Sequence, residues 1–198
     1  MKKNILIAGG ALLALIFIAS ASFGGTYNQL VTSEEGVKSA WAQVENVYQR
    51  RLDLVPNLVE TVKGYAAHEK ETLSKVVEAR ASISQMKISS DVVSDPAALE
   101  KFQASQGVLS SALSRLLVVA EQYPDLKASQ NFLALQSQLE GTENRITVER
   151  MRFNEAAQKF NTLRRTFPAA FVANMMGFKE KAYFQADAAA AKAPSVKF

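Results

Sequence analysis

The chain has 198 residues, 48% of them hydrophobic and 21% charged, with a formal net charge of +4 and no cysteine. That length suits one domain with short appendages. The missing cysteine excludes disulfides, thiolate nucleophiles and cysteine-held metal sites. The basic balance does not point to nucleic acid either. Its surplus lies in Lys2 and Lys3 at one end and in residues 168–198 at the other, so residues 26–167 are neutral. A neutral body with short basic ends releases few counterions from a phosphate backbone.

Residues 5–23 carry no charge, and Ser20 and Ser22 are their only hydroxyls. As a helix this stretch would rise roughly 28 Å, close to the thickness of a bilayer's hydrocarbon core. It is apolar on every face, which a buried soluble helix does not require. Two readings stand. Residues 1–25 form an uncleaved transmembrane signal anchor, or they form a signal peptide cleaved after Ala21, where Ala19-Ser20-Ala21 has the small-x-small pattern. The apolar run is longer than an ordinary signal core and helical patterning resumes directly after Gly25, so the anchor is preferred. Lys2 and Lys3 then hold the N-terminus in the cytoplasm, and the remainder lies on the far side of the membrane, in the periplasm of a Gram-negative cell or on the outer surface otherwise.

Beyond the anchor no long period-two alternation occurs, and apolar residues recur at helical spacings of three and four. A first helix is marked by Tyr27, Leu30, Val37, Trp41, Val44 and Tyr48. A second is marked by Val59, Val62, Ala66, Leu73, Val76 and Ile83. Pro56 separates them. A proline is tolerated in the first turn of a helix, with Asp53 available upstream as a cap, so the expectation is a turn here; the alternative is one helix kinked at Pro56.

The third helix is predicted to start at Asp95-Pro96 and stop near Tyr123-Pro124-Asp125. Its stripe is Leu99, Phe102, Gln106, Leu109, Leu113, Leu116, Ala120 and Tyr123, with Gln106 the single polar member. The fourth, over about residues 126 to 167, repeats every seven at Phe132, Leu139, Ile146, Phe153, Phe160 and Phe167, a long seam. Short connections at 53–56, about 88–95 and 123–125 suit antiparallel neighbours. The expected architecture is therefore all-α: an antiparallel four-helix bundle over residues 26–167 on a single N-terminal transmembrane helix. A tail follows over 168–198. Its apolar start lies on the bundle as cover, or else Phe171, Met175, Met176, Phe178 and Lys179 make a second contact with the membrane surface.

Little in the chain suggests catalysis. His68 is the only histidine and HEKET is not the two-histidine zinc motif. No serine sits in a nucleophile signature, and no metal or cofactor site is expected. Three charges interrupt apolar positions: Glu34 and Arg51 in the first helix and Glu149 in the fourth. Such groups need partners if buried. The cluster Arg50, Arg51, Asp53, Pro56 and Asn57 is a candidate for locking the expected turn or for docking a partner at the bundle's end.

The wording of several segments resembles one family. AWAQVENVYQRRLDLVPNLVETVKGYAAHE (residues 40–69), YNQLV (27–31), ENRITVERMRFNEAAQKFN (143–161), GFKEKAYF (177–184) and the closing APSVKF are similar to the LemA family. Arg164-Arg165 makes the end of the fourth helix more basic than the family pattern suggests. The resemblance implies a four-helix bundle on a single-pass anchor and carries no catalytic residues to assign. The expected role is a membrane-anchored interaction or scaffold module of the cell envelope, with a protein partner or further copies of itself. A lipid-surface module is the alternative, and an enzyme built on an unrecognised carboxylate site is a lesser one.

Overall fold

The computed structural model of the chain describes residues 2–86 and 90–185. The expected connection near 88–95 lies partly outside these residues, and the closing APSVKF lies wholly outside them. Among the described residues the chain is all-helical and contains no strand. Six helices follow one another: α1 (Lys2–Tyr65), α2 (Lys70–Ser84), α3 (Pro96–Ala120), α4 (Pro124–Lys127), α5 (Gln130–Arg165) and α6 (Ala169–Met176). A 3-10 turn at Ser90–Ser94 leads into α3. Helix α1 packs most extensively along α5, and α2 along α3. Trp41 of α1 lies against Phe153 of α5, and ten residues further along α1 Arg51 pairs with Glu143 of α5.

The turn expected at Pro56 is absent. Helix α1 runs straight through it for 64 residues, from the apolar N-terminal segment into the core. An internal proline removes one hydrogen bond and crowds the carbonyl four residues back. Here that carbonyl belongs to Leu52, and Arg80 Nε of α2 donates to it at 3.0 Å in place of the missing N–H. The proline ring itself faces outward. The chain reverses instead at residues 66–69, closed by Glu69 N–H donating to the Ala66 carbonyl at 3.0 Å. Val59, Val62 and Ala66 are buried as their spacing predicts, but Val59 and Val62 belong to α1. Gly64 weakens the helix near this end, and nothing approaches the place of its missing Cβ, so close packing does not explain it.

Helix α3 follows its stripe closely: Leu99, Phe102, Gln106, Leu109, Leu113, Leu116 and Ala120 are all buried. Asp95 caps it, accepting from the Ala97 and Ala98 N–H groups at 3.0 and 3.2 Å, with Pro96 at the first position. In α5 the first five seam positions are buried, but Phe167 is 93% exposed. The helix stops at Arg165, Thr166 turns to an extended conformation and Pro168 follows, so the seam's last member leaves the heptad.

The buried side chains form two clusters. The one nearer the apolar segment contains Leu30, Trp41, Tyr48, Phe102, Phe153, Phe160 and Phe184. The far one is aliphatic apart from Phe132 and runs from Leu52 through Val62, Val76, Leu113 and Leu126 to Leu139. After α6, Gly177 takes the left-handed conformation at φ 76°, which ends the helix without a Cβ penalty. The chain then runs without regular secondary structure across the helices to Gln185.

Candidate functional site

Three features stand out once the helices are packed: a polar layer, a strap and an apolar stripe. The layer separates the two clusters. On each long helix a polar residue sits where one cluster ends and the other begins: Arg51 between Tyr48 and Leu52, Gln106 between Phe102 and Leu109, Thr142 and Glu143 between Leu139 and Ile146. Arg51 is 1% exposed. Its Nη1 donates to Ser110 Oγ at 2.8 Å and to Glu143 Oε1 at 2.9 Å, and its Nη2 donates to Gln106 Oε1. The guanidinium also lies 5.1 Å from the centre of the Tyr48 ring. Burial pushes the Tyr48 hydroxyl's pKa up, and Arg150 and Arg51 only partly offset it. Arg51 Nε and Gln106 Nε2 are buried without partners among the described residues, so the layer is not fully satisfied. A buried ionic layer of this kind adds little net stability, because desolvation offsets its internal attraction.

The other members of the expected turn cluster do not join it. Arg50, Asp53, Pro56 and Asn57 are exposed along the outer face of α1. Asp53 accepts from Gln49 Nε2 at 2.7 Å, and the Asn57 carbonyl accepts from Thr61 Oγ1 at 2.8 Å, both one turn away on the same helix. With no turn at Pro56, the cluster locks none.

The strap, residues 178–185, is held by side-chain amides. Asn161 of α5 donates to the Lys181 carbonyl at 2.8 Å and accepts from the Lys181 N–H at 2.8 Å. Seven residues earlier, Asn154 makes the same two-way pairing with Phe184 at 3.0 and 2.9 Å. Gln103 of α3 donates to the Gln185 carbonyl at 2.8 Å. Each amide thus does for the strap's backbone what a neighbouring strand would do. Phe184 enters the aromatic cluster, stacked 6.0 Å from Trp41 and edge-on to Phe153 at 5.5 Å.

Glu34 finds its partner here. Lys181 Nζ donates to Glu34 Oε1 at 2.6 Å and to Ser94 Oγ at 3.0 Å, and lies over the Phe160 ring. Glu149 is largely buried and pairs with Arg152 on its own helix at 2.8 Å. Beside the strap a groove of about 890 Å³ is lined by Ser94, Glu100, Gln103, Lys179, Lys181 and Tyr183. An adjoining hollow of about 590 Å³ shares Ser94, Lys179 and Lys181 and adds Glu34. This is an open surface of mixed charge. His68 is exposed at the reversal after α1. Among the described residues no three acidic or histidine side chains are grouped to hold a metal ion.

The third feature is on α6. Ala169, Val172 and Ala173 face the core, while Phe171, Met175 and Met176 are 68%, 56% and 48% exposed. Phe178 packs against the aromatic cluster and Lys179 is exposed. Leu6, Ile7, Leu12, Leu13, Leu15, Ile16, Phe17 and Ile18 of α1 are likewise exposed. By length and composition α1 includes a stretch apolar enough to cross a membrane.

Sequence reasoning missed Glu143, Ser110, Lys181, Asn154 and Asn161. The asparagines had a signal: each directly follows a phenylalanine of the seam, at the same spacing of seven. Glu143 and Ser110 had none, because their position across from Arg51 depends on how the helices align.

The LemA family model matches residues 40–198. The chain is 27% identical over 174 residues to the magnetosome protein MamQ of Magnetospirillum gryphiswaldense, covering 80% of this chain and 64% of that protein. It is 27% identical over 199 residues to magnetosome protein MamQ 2 of Paramagnetospirillum magneticum, covering 88% of this chain and 72% of the relative. Against protein LemA of Metamycoplasma hominis it is 27% identical over 162 residues, 82% of this chain and 70% of the relative. With the match extending across the polar layer, the strap and α6, the chain belongs to the LemA family.

Proposed function

We propose that this protein is a membrane-anchored interaction or scaffold module of the bacterial cell envelope, with no catalytic step of its own. The observation that carries this reading is the continuity of α1. One helix begins as an exposed apolar segment and ends as a buried wall of the core, so whatever binds the body is held rigidly to the membrane. The body is read as an antiparallel four-helix bundle. Going up α1 from Trp41 to Arg51, the α5 partners go down from Phe153 to Glu143, which supports that direction. The N-terminus is assigned to the cytoplasm and the bundle to the far side of the inner membrane, on the strength of Lys2 and Lys3. Partners are proteins or further copies of the chain, and the mixed-charge groove beside the strap is the surface offered to them.

In-membrane crosslinking of the full chain, with peptide identification by mass spectrometry, tests the scaffold role. Reproducible crosslinks from Lys179 to one protein species or to a second copy are expected. Recovery of intramolecular links alone would remove the scaffold reading. The anchor is tested separately by the mature N-terminus: Met1 or Lys2 in an integral-membrane fraction is expected, whereas Ser22 in a soluble fraction would make this a secreted bundle.

A further inference from the structure

We infer that the exposed stripe of α6, together with Phe167, lies in the head-group layer of the bilayer from which α1 emerges, giving the body a second and shallow membrane contact. The inference rests on the anchor reading and adds where the body sits. Phe171 and Met175 are spaced by four on α6 and share one face, with Met176 beside them, and Phe167 precedes the helix in the turn that ends at Pro168. All four are exposed, Phe167 at 93%. A contiguous apolar patch of this kind marks a binding surface.

Its depth follows from α1. If residues 5–23 fill the hydrocarbon core, Tyr27 lies four residues on, about 6 Å further along the helix. A head-group layer is roughly 5–7 Å thick on each side of that core, so Tyr27 falls within it, where tyrosine is favoured. The Tyr27 ring packs against Phe178 at 5.9 Å, and Phe178 follows Gly177 at the end of α6. Phe23, the last residue of the apolar run, packs on the same aromatic cluster as Val172 and Ala173 of α6. Helix α6 is therefore tied to α1 at the level where α1 leaves the hydrocarbon.

The surrounding charge fits lipid better than a second protein. Arg165 and Lys179 are exposed at either end of α6. Arg164 is engaged with the Phe178 carbonyl at 2.7 Å, and Glu180 lies 4.0 Å from it. Phenylalanine and methionine on one face with flanking cations is the composition of a helix lying in the plane of an anionic interface. The covalent anchor also confines the stripe beside the bilayer, so even weak insertion is favoured by the high effective concentration.

The cysteine-free sequence makes a direct test possible. Single nitroxide labels are placed by Phe171→Cys, Met175→Cys, Leu13→Cys and Val118→Cys in the full chain. The protein is reconstituted into vesicles of phosphatidylethanolamine with phosphatidylglycerol. Collision with oxygen and with a water-soluble nickel chelate is then read by spin relaxation. All four parent side chains are exposed, Val118 on α3 at 65%, so the labels do not disturb the core. The labels at 171 and 175 should show several-fold less contact with the chelate than the label at 118, at a depth shallower than the label at 13. Chelate contact at 171 and 175 equal to that at 118, with 13 deep in lipid, overturns this inference and leaves the anchor standing. Shielding at 171 and 175 accompanied by spin–spin broadening that vanishes on dilution with unlabelled protein assigns the stripe to a second copy, and also overturns it. A label at 13 that is as wet as the one at 118 overturns the anchor itself.

Discussion

The cluster near the apolar segment sets six buried rings among its aliphatic side chains, whereas the far cluster holds Phe132 alone among leucine, valine, isoleucine and alanine. Their architecture differs in the same way. The far cluster is closed by helices alone. The near one is closed by α6 and by an irregular strap whose backbone is paired by side-chain amides. The strap is joined to those rings through Phe184, stacked on Trp41 and edge-on to Phe153. Aliphatic side chains on regular stripes need only another helix. The polar layer at Arg51 marks the change from one regime to the other.

The largest effect expected is from Phe153→Ala, about 3–5 kcal/mol in thermal or urea unfolding, since this ring is fully buried. Leu113→Ala in the far cluster should cost about 2–5 kcal/mol. The comparison is sharpened by hydrogen exchange. Phe153 touches Phe184, so its loss should expose the amides of residues 181–185 to exchange, whereas Leu113→Ala should leave them protected. If both variants loosen the strap equally, the two clusters unfold as one unit and the division has no energetic meaning.

At the boundary, Arg51→Ala should cost about 2–3 kcal/mol. This lies below the range for a fully buried pair, because the Glu143 side chain keeps 41% exposure. The double change Arg51→Met with Gln106→Leu removes both unsatisfied groups and should recover most of that loss. The resulting continuous apolar seam should show duplicated amide resonances in α3 and α5, as helix alignments that the layer had excluded become populated. A single sharp set of resonances would show that alignment is fixed elsewhere.

Within the far half, Arg80→Met should cost about 1–2 kcal/mol by leaving the Leu52 carbonyl without its donor. In a Pro56→Ala background the new N–H supplies that carbonyl, so the same change should cost much less. The difference between the two backgrounds, read by denaturant unfolding, measures the coupling directly. Additive losses would mean that Arg80 matters for packing and does not substitute for the proline's missing bond.

Which stripes are buried was legible in the sequence, because burial follows a period and a period survives in one dimension. The α3 stripe from Leu99 to Ala120 and its Asp95-Pro96 start are found as spaced. Where a helix ends was less legible. Pro56 carries a strong local signal for a break, yet the break is overridden by Arg80, a residue 24 positions later on another helix. Residues 66–69 carry only the weak signal of Gly64, and the chain reverses there. Phe167 satisfied the heptad but not the helix, because Pro168 follows it. Among polar groups, Arg51, Glu34 and Gln106 were visible as interruptions of apolar stripes. Glu143 and Lys181 lie on outward-looking patterns and become partners only once the helices and strap are placed.

The smallest expected effect tests the near cluster's edge. Glu45 lies one turn from Trp41, whose indole N–H is buried and has no hydrogen-bond partner among the described residues. Burial raises the Glu45 carboxyl's pKa above its ordinary value. The sign follows from the proton. Below the ordinary carboxyl value both folded and unfolded chains hold Glu45 neutral, so Glu45→Gln should be neutral for stability there. As pH rises towards the raised folded value, the unfolded chain ionises first and the wild type loses stability relative to the variant. Above the raised value that deficit is constant. Because the side chain keeps substantial contact with water, the variant's advantage at pH 7 should be small, about 1–2 °C in Tm. It should vanish in a scan below the ordinary carboxyl range. An advantage that persists unchanged in acid would assign it to packing against Trp41 and not to charge.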